Sequence, residues 1–337
     1  MTRARINARR RTLLGAVPAL AWLASGCDFS APASLRLGFN PWPGYELFML
    51  AEQLGYYRQL GLDVQLVEFT SLGDSRRAFE RQQIDVAAGT AVELLTAAHT
   101  LKQPVQAFFL TNISVGADYL IAQPQFATAA DLKGQRVAVE PGSLNLLLLD
   151  LALQDAARSG TALKLQDLEL VPMAQNSMPS AFVRREVEAV VVYPPVADEL
   201  LRLVPERARI LFDSGKTPDF ILDLLYASRA SLEQRAGELA RLVQGFEMAR
   251  RYTQAHPDDA HARMAARTGR KRDDFERDMQ GLKLVPLVEQ SELLRPGGTV
   301  ERVLRASLQA LRHAGMRLEL AAPDLVTPAI VNAASAP

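Results

Sequence analysis

One cysteine and four histidines in 337 residues leave few reactive chemistries open. Cys27 has no partner for an intramolecular disulfide, and a single thiol cannot build a cysteine metal site. His256 and His261 stand five apart, His99 and His313 are isolated, and no His-Glu-x-x-His run occurs, so no metal cluster is expected. A Gly-x-Ser-x-Gly elbow, a phosphate-binding loop and a dinucleotide fingerprint are also missing, and no cofactor is expected. Neither sign of charge prevails, with 38 Lys and Arg against 38 Asp and Glu. Without a basic stripe, a nucleic-acid partner is not expected. No low-complexity block argues for disorder, and no apolar run reaches the ~20 residues that span a bilayer.

What is present begins with a basic leader. Arg3, Arg5, Arg9, Arg10 and Arg11 precede an apolar stretch from Leu13 to Leu23, followed by Leu23-Ala24-Ser25-Gly26-Cys27. A charged segment, a short apolar segment and small residues describe a secretory signal over residues 1–26. The Ser-Gly-Cys end resembles a bacterial lipobox, although the large aliphatic residue, Leu23, lies one place further upstream than in the commonest pattern. That resemblance implies a lipidated Cys27, a tether over residues 27–34 and anchoring by several acyl chains. Asp28 resembles an inner-membrane retention signal, and Arg10-Arg11-Thr12-Leu13-Leu14 a twin-arginine export motif. An ordinary cleavage site beside an incidental cysteine is the alternative. With the five leader arginines removed, 33 basic residues face 38 acidic ones.

From Leu35 onward, short apolar runs alternate with helical spacing. Strands are predicted over 35–39, 64–69, 84–88, 105–110, 136–140, 168–171, 189–193 and 209–212. Helices are predicted over 45–60, 74–83, 90–99, 143–159, 179–185 and 196–203. Such alternation defines an α/β fold. The last third reads as helices without a sheet of its own, with a fraying tail over 331–337 and a solvated charged turn over Arg267–Asp274. Gln83-Ile84-Asp85-Val86-Ala87-Ala88 is echoed by Glu186-Val187-Glu188-Ala189-Val190-Val191, which suggests two similar lobes. In open α/β sheets, ligands sit at the carboxyl ends of the strands.

Leu37-Gly38-Phe39-Asn40-Pro41-Trp42-Pro43-Gly44-Tyr45, Leu54-Gly55-Tyr56-Tyr57, Asp131-Leu132-Lys133-Gly134-Gln135-Arg136-Val137-Ala138-Val139-Glu140-Pro141-Gly142 and Tyr193-Pro194-Pro195-Val196 carry a resemblance. They resemble the periplasmic binding proteins of the nitrate, sulfonate and taurine ABC transporter family. The same superfamily includes binding proteins and synthases for thiamine pyrimidine precursors. The resemblance implies a type II periplasmic binding fold, with two lobes, each a mainly parallel sheet flanked by helices, hinged around a cleft. Lobe I would take 35–117 plus 222–330 and lobe II 118–221. It implies a monomeric solute carrier outside the cytoplasm, with a small-molecule ligand, an ABC permease and its ATPase as partners. A pyrimidine-precursor enzyme on the same fold, or a ligand sensor for a membrane partner, are the alternatives.

Within that frame the candidate ligand-binding residues are Asn40, Trp42, Tyr45, Gly89, Thr90, Asn112, Ser114, Glu140, Gly142, Ser143, Tyr193 and Asp223. Helix N-termini at Gly44-Tyr45, Gly89-Thr90 and Gly142-Ser143 offer N–H groups to an anion, but Thr90 and Ser143 equally suit helix caps. Trp42 and Tyr45 suit an aromatic wall or the core. Asn112 and Ser114 suit ligand bonds or turn chemistry. Glu140 and Asp223 suit an ammonium group, or a salt bridge elsewhere. No arginine falls in the cleft motifs, which weakens an anionic assignment.

Overall fold

The computed structural model describes residues 34–335 apart from Ser159 and Thr161. The leader, Cys27 and all of the tether except Ser34 lie outside the described residues. Eleven strands are described: β1 (Leu35–Phe39), β2 (Val64–Glu68), β3 (Val86–Thr90), β4 (Val105–Ser114), β5 (Tyr119–Ala122), β6 (Arg136–Val139), β7 (Glu169–Pro172), β8 (Ala189–Val192), β9 (Arg209–Asp213), β10 (Ile221–Ser228) and β11 (Leu282–Leu284).

They form two sheets, one ordered β11-β4-β10-β3-β1-β2 and the other β7-β6-β8-β5-β9. The near-continuous apolar runs of β3, β8 and β10 are buried throughout, as strands covered on both faces require. The chain crosses from the first sheet to the second between β4 and β5, and returns between β9 and β10. Each sheet is mainly parallel in strand direction, with four strands of six running one way in the first and four of five in the second. β1 runs parallel to β2 and β3, but β10 is antiparallel to β3 and β4. In the second sheet, β6 runs parallel to β7 and β8, but β5 is antiparallel to β8 and β9. The reversed strands are the ones that carry the chain between the sheets, and β11 adds an antiparallel edge.

The echo in the sequence is an echo in structure. On β1, the Arg36 guanidinium and backbone N–H both bond Asp85, and the guanidinium also reaches the Gln82 carbonyl. On β6, Arg136 does the same with Glu188 and the Arg185 carbonyl. Gln82 and Arg185 share a left-handed backbone, at φ 59° and 58°. The device fixes the turn before β3 and the turn before β8, and so aims the carboxyl ends of both strands inward.

Three expectations change. The helix expected over 45–60 breaks into Glu46–Gln53 and Tyr56–Gln59, because Gly55 turns left-handed at φ 73°. The tail does not fray through Ala334: Ala329–Ala334 is helical, and Ile330, Val331 and Ala334 bury against the long helix Ala236–Ala255. Small size does not prevent a segment from ordering when it has an apolar face to bury. The charged turn is not merely solvated. Arg267 pairs with Glu46 and Glu68, while Arg270 joins Asp278 to Asp198, which belongs to the helix Val196–Leu203 in the other half. Among the described residues no helix is long and apolar enough to cross a membrane.

Candidate functional site

The two halves press together into one compact unit from Ser34 onward. Between them lies a small cavity of about 10 Å³, room for about one water molecule, lined by Asn40, Trp42, Tyr45, Leu72, Asp118, Leu144, Tyr193, Ile221 and Asp223. Asn40, Trp42 and Tyr45 come from the break after β1, which the Pro-Trp-Pro-Gly sequence forces out of strand geometry. Tyr193 follows β8, and its ring meets Trp42 edge-on at 5.9 Å and 88°, a favoured geometry for aromatic pairs. Asp118 sits on the outgoing crossing between β4 and β5, and Asp223 on β10 just after the return.

Polar groups behind the aromatic wall form a chain. The Tyr45 hydroxyl donates to Asp223 Oδ1 at 2.7 Å, Asn112 Nδ2 donates to Asp223 Oδ2 at 2.6 Å, and Trp42 Nε1 donates to Asn112 Oδ1 at 3.3 Å. Gly44 makes this possible, since a Cβ there would lie 2.0 Å from Asn112 Oδ1. Asn112 therefore orients the wall from behind and does not line the cavity. Burial drives the Asp223 carboxyl well above its usual range, against the pull of its two donors. Burial likewise raises the Tyr45 hydroxyl, reinforced by the neighbouring Asp223 charge.

Asp118 differs from its neighbours. It is 1% exposed, and neither carboxylate oxygen has a partner in hydrogen-bonding geometry. Burial pushes its carboxyl up to about 7, with Glu93 raising it further and the nearby Ser114 lowering it. The Ser114 hydroxyl is itself engaged with Ser214 at 2.8 Å, and Ser214 Oγ also accepts from the N–H groups of Gly116 and Asp118. Ser114 thus ties the two crossings together behind the cavity. Asn40 donates through Nδ2 to the Pro41 carbonyl, while its buried Oδ1 has no partner.

Two of the three helix N-termini expected to receive an anion are met by the protein itself. Glu93, fully buried, accepts from Thr90 N–H at 2.9 Å and from the Thr90 hydroxyl at 2.5 Å through one oxygen, and from Leu144 N–H of the opposite half at 3.0 Å through the other. Thr90 is consumed as the cap of the helix Ala91–Leu101. Gly89 packs behind it against Glu93 and Tyr226. Gly142, left-handed at φ 66°, backs onto Thr96 of the other half, and the buried Ser143 hydroxyl has no partner. Glu140 accepts from the Ser71 hydroxyl across the interface at 2.6 Å, with its second oxygen unpaired and its carboxyl raised by burial. Leu72 N–H reaches the Tyr193 hydroxyl at 3.5 Å.

Of the expected residues, Asn40, Trp42, Tyr45, Tyr193 and Asp223 line the cavity. Asn112 and Ser114 support it, Gly89 and Thr90 form a cap, and Glu140, Gly142 and Ser143 lie on the interface beside it. Sequence reasoning missed Asp118 and Glu93. Thr90-x-x-Glu93 is a capping-box pattern and was the available signal for Glu93. Nothing local marks Asp118. Beyond Trp42 and Pro195 the groove opens into a recess of about 250 Å³ that includes Arg267 and Arg270, each already held by two carboxylates. Among the described residues no group of His, Cys, Asp and Glu is arranged to hold a metal ion.

Two facing α/β halves, crossed twice by the chain and closed over a cavity of aromatic and acidic side chains, define the periplasmic binding protein fold. The family model described as NMT1/THI5 like matches residues 42–260, and the chain belongs to that family. A protein of Brucella abortus, described as a candidate binding protein, is 26% identical over 257 residues, covering 75% of this chain and 76% of the relative. The periplasmic aliphatic sulphonate binding protein SsuA of Escherichia coli superposes with a TM-score of 0.68 at 17% identity, covering 88% of this chain and 92% of that one. The desulfurization enzyme DszB superposes with a TM-score of 0.60 at 19% identity, covering 89% and 98%. The fold is therefore shared by a carrier and an enzyme.

Proposed function

We propose that the protein is the extracytoplasmic solute-binding component of an ABC importer. In this reading it captures a small molecule between two hinged lobes, 35–117 plus 222–330 and 118–221, and delivers it to a permease with its ATPase. The observation that carries the reading is the buried cavity walled from both halves, with Trp42 against Tyr193 and Asp118 beside Asp223. A closure that buries polar groups from both sides suits reversible capture by hinge motion. The name of the SsuA relative points to sulfonates, with taurine and nitrate as related solutes, whereas the acids of the cavity favour a small amine or heterocycle. The likeness to DszB keeps catalysis in view, but the cavity lining offers no thiol, imidazole or aliphatic hydroxyl as a nucleophile. A ligand-sensing role toward a membrane protein is the remaining alternative.

The test is a thermal-shift screen of the mature protein against sulfonates, taurine, nitrate, aminopyrimidines and amines. A cognate solute at 100 times its Kd is expected to add about 2.7 kcal/mol of stability, without being consumed. Turnover of the bound compound would favour the enzyme, and stabilisation only by a protein partner the sensor. The reading also includes a lipidated Cys27 that holds the chain at the inner membrane on its periplasmic side. A Cys27→Ser variant is then expected in the soluble periplasmic fraction, and its retention on membranes would refute the anchor.

A further inference from the structure

The cavity has an excess of acceptors and no cation. Asp118 brings two carboxylate oxygens without partners and Asn40 a carbonyl oxygen without a partner, all buried at the same small space. Of the neighbours of Asp118, Ser114 eases the charge, through a hydroxyl shared with Ser214. The Tyr45 hydroxyl and the Asn112 amide are directed to Asp223, and the Trp42 N–H to Asn112. The acids facing Asp118 come from two elements: Asp223 from β10 and Glu93 from the helix Ala91–Leu101. The buried arginine nearest this interface, Arg76, is paired with Glu80 and does not line the cavity. A carboxylate enclosed without a partner is costly, so the arrangement is complete only when something brings positive charge and N–H groups to it. Three aromatic rings, Trp42, Tyr45 and Tyr193, line the same space, and ring faces attract cations.

We infer that the solute is a small organic cation carrying N–H donors, an ammonium or amidinium, seated with its charge on Asp118 and its apolar part against Trp42, Tyr45 and Tyr193. This rests on the reading of the protein as a solute carrier and specifies what it carries. Glu93 strengthens the case, because it already accepts N–H groups at two of the three helix starts where an anion was expected, through Thr90 and Leu144. The N–H requirement comes from the three open acceptor atoms, which a quaternary ammonium could not satisfy. Binding is coupled to protons. The cation selects the ionised form of Asp118, so affinity rises with pH through the region near 7 where that carboxyl ionises.

The experiment uses the mature protein and four probes of similar shape: benzylamine, benzyltrimethylammonium, benzyl alcohol and phenylmethanesulfonate, with taurine as a fifth. Binding is measured by calorimetry and thermal shift at pH 6 and 8. Benzylamine is expected to bind best and to gain about tenfold in affinity between those pH values, following ionisation of a group near 7. Asp118→Asn is expected to weaken benzylamine binding by about ten- to a hundredfold, the size of a lost charge-assisted hydrogen bond. The same variant, without ligand, is expected to melt higher than wild type at pH 8, because an uncompensated buried charge has gone. A residue with a merely structural role would lower the melt. Equal binding of benzyltrimethylammonium overturns the N–H assignment. Wild-type binding by Asp118→Asn, or a preference for benzyl alcohol, overturns the cation seat. Binding of phenylmethanesulfonate or taurine but not benzylamine overturns the inference and leaves the carrier reading standing. Binding of none of the five overturns the inference and counts against the carrier as well.

Discussion

Glu93→Ala is expected to cost about 3 kcal/mol of folding stability, measured by denaturant unfolding. Glu93 satisfies three buried donors: the Thr90 N–H and hydroxyl, and the Leu144 N–H. Alanine leaves all three unpaired, and each such group costs ~1–3 kcal/mol. Loss of a buried charge offsets part of the sum. Glu93→Gln retains an acceptor for the Thr90 cap but presents an N–H group to one of the two sides, so about half of the loss should remain. The variants separate two roles of the same carboxylate. The Thr90 bonds lie within one half, whereas the Leu144 bond joins the halves. Small-angle scattering of the glutamine variant should therefore show a larger radius of gyration if the Leu144 contact is the one given up. Unfolding midpoints within about 0.5 kcal/mol of wild type for both variants would show that Glu93 is not the clamp described here.

Arg267→Ala is expected to destabilise by about 3 kcal/mol at pH 8. Arg267 faces Glu46, which is 1% exposed, and Glu68 at 2.8 Å. Removing one partner of a buried pair leaves the other charge uncompensated, at a cost of ~3–5 kcal/mol; the partial exposure of Arg267 and the outward position of Glu68 place the estimate at the low end. Burial already raises the Glu46 carboxyl despite the arginine, with Glu68 adding to the shift. Without Arg267 it rises further, and a carboxyl whose folded pKa exceeds its unfolded one loses stability as pH increases. The deficit of Arg267→Ala should therefore be smaller at pH 5 than at pH 8. Adding Glu46→Gln to Arg267→Ala should recover much of the loss at pH 8, a non-additivity expected of groups in contact. Independent, additive effects would show that the two side chains do not form the buried pair.

Much of the fold could be read from residue pattern alone, because its information is local. β1, β2, β6 and β8 are apolar runs bounded by turn residues, and the helices between them carry their own spacing. What was not legible depends on distant partners. β5 and β10 were not among the predicted strands: both segments are apolar, but their antiparallel pairing to β8, β3 and β4 depends on partners distant in sequence. β11 is three residues long and exists because the edge of β4 opposite β10 is open to it at Asn112–Ser114. The terminal helix is stabilised by the face of Ala236–Ala255 that it covers. The site divides in the same way. Asn40, Trp42 and Tyr45 announce themselves by a Pro- and Gly-punctuated break after a strand, and Tyr193 by its two following prolines. Asp118 lies between Ala117 and Tyr119 with nothing to distinguish it from a surface acid, and only the meeting of two halves makes it buried and unpaired. Thr90 and Ser143 were legible as helix starts, but which helix starts were free for a ligand depended on Glu93 reaching across.

The placement of Asp118 also has a mechanical meaning. It stands between Ser114, whose hydroxyl grips Ser214 on the returning connection, and Tyr119, where β5 of the second sheet begins. That spot is the fulcrum about which the lobes swing in the carrier reading. The bridge that Arg270 makes between Asp278 and Asp198 stands close by, since burial raises the hydroxyl of Tyr119, the residue next to Asp118, and both carboxylates raise it further. In that reading the filled or empty condition of Asp118 and this clasp between the halves bear on the same hinge.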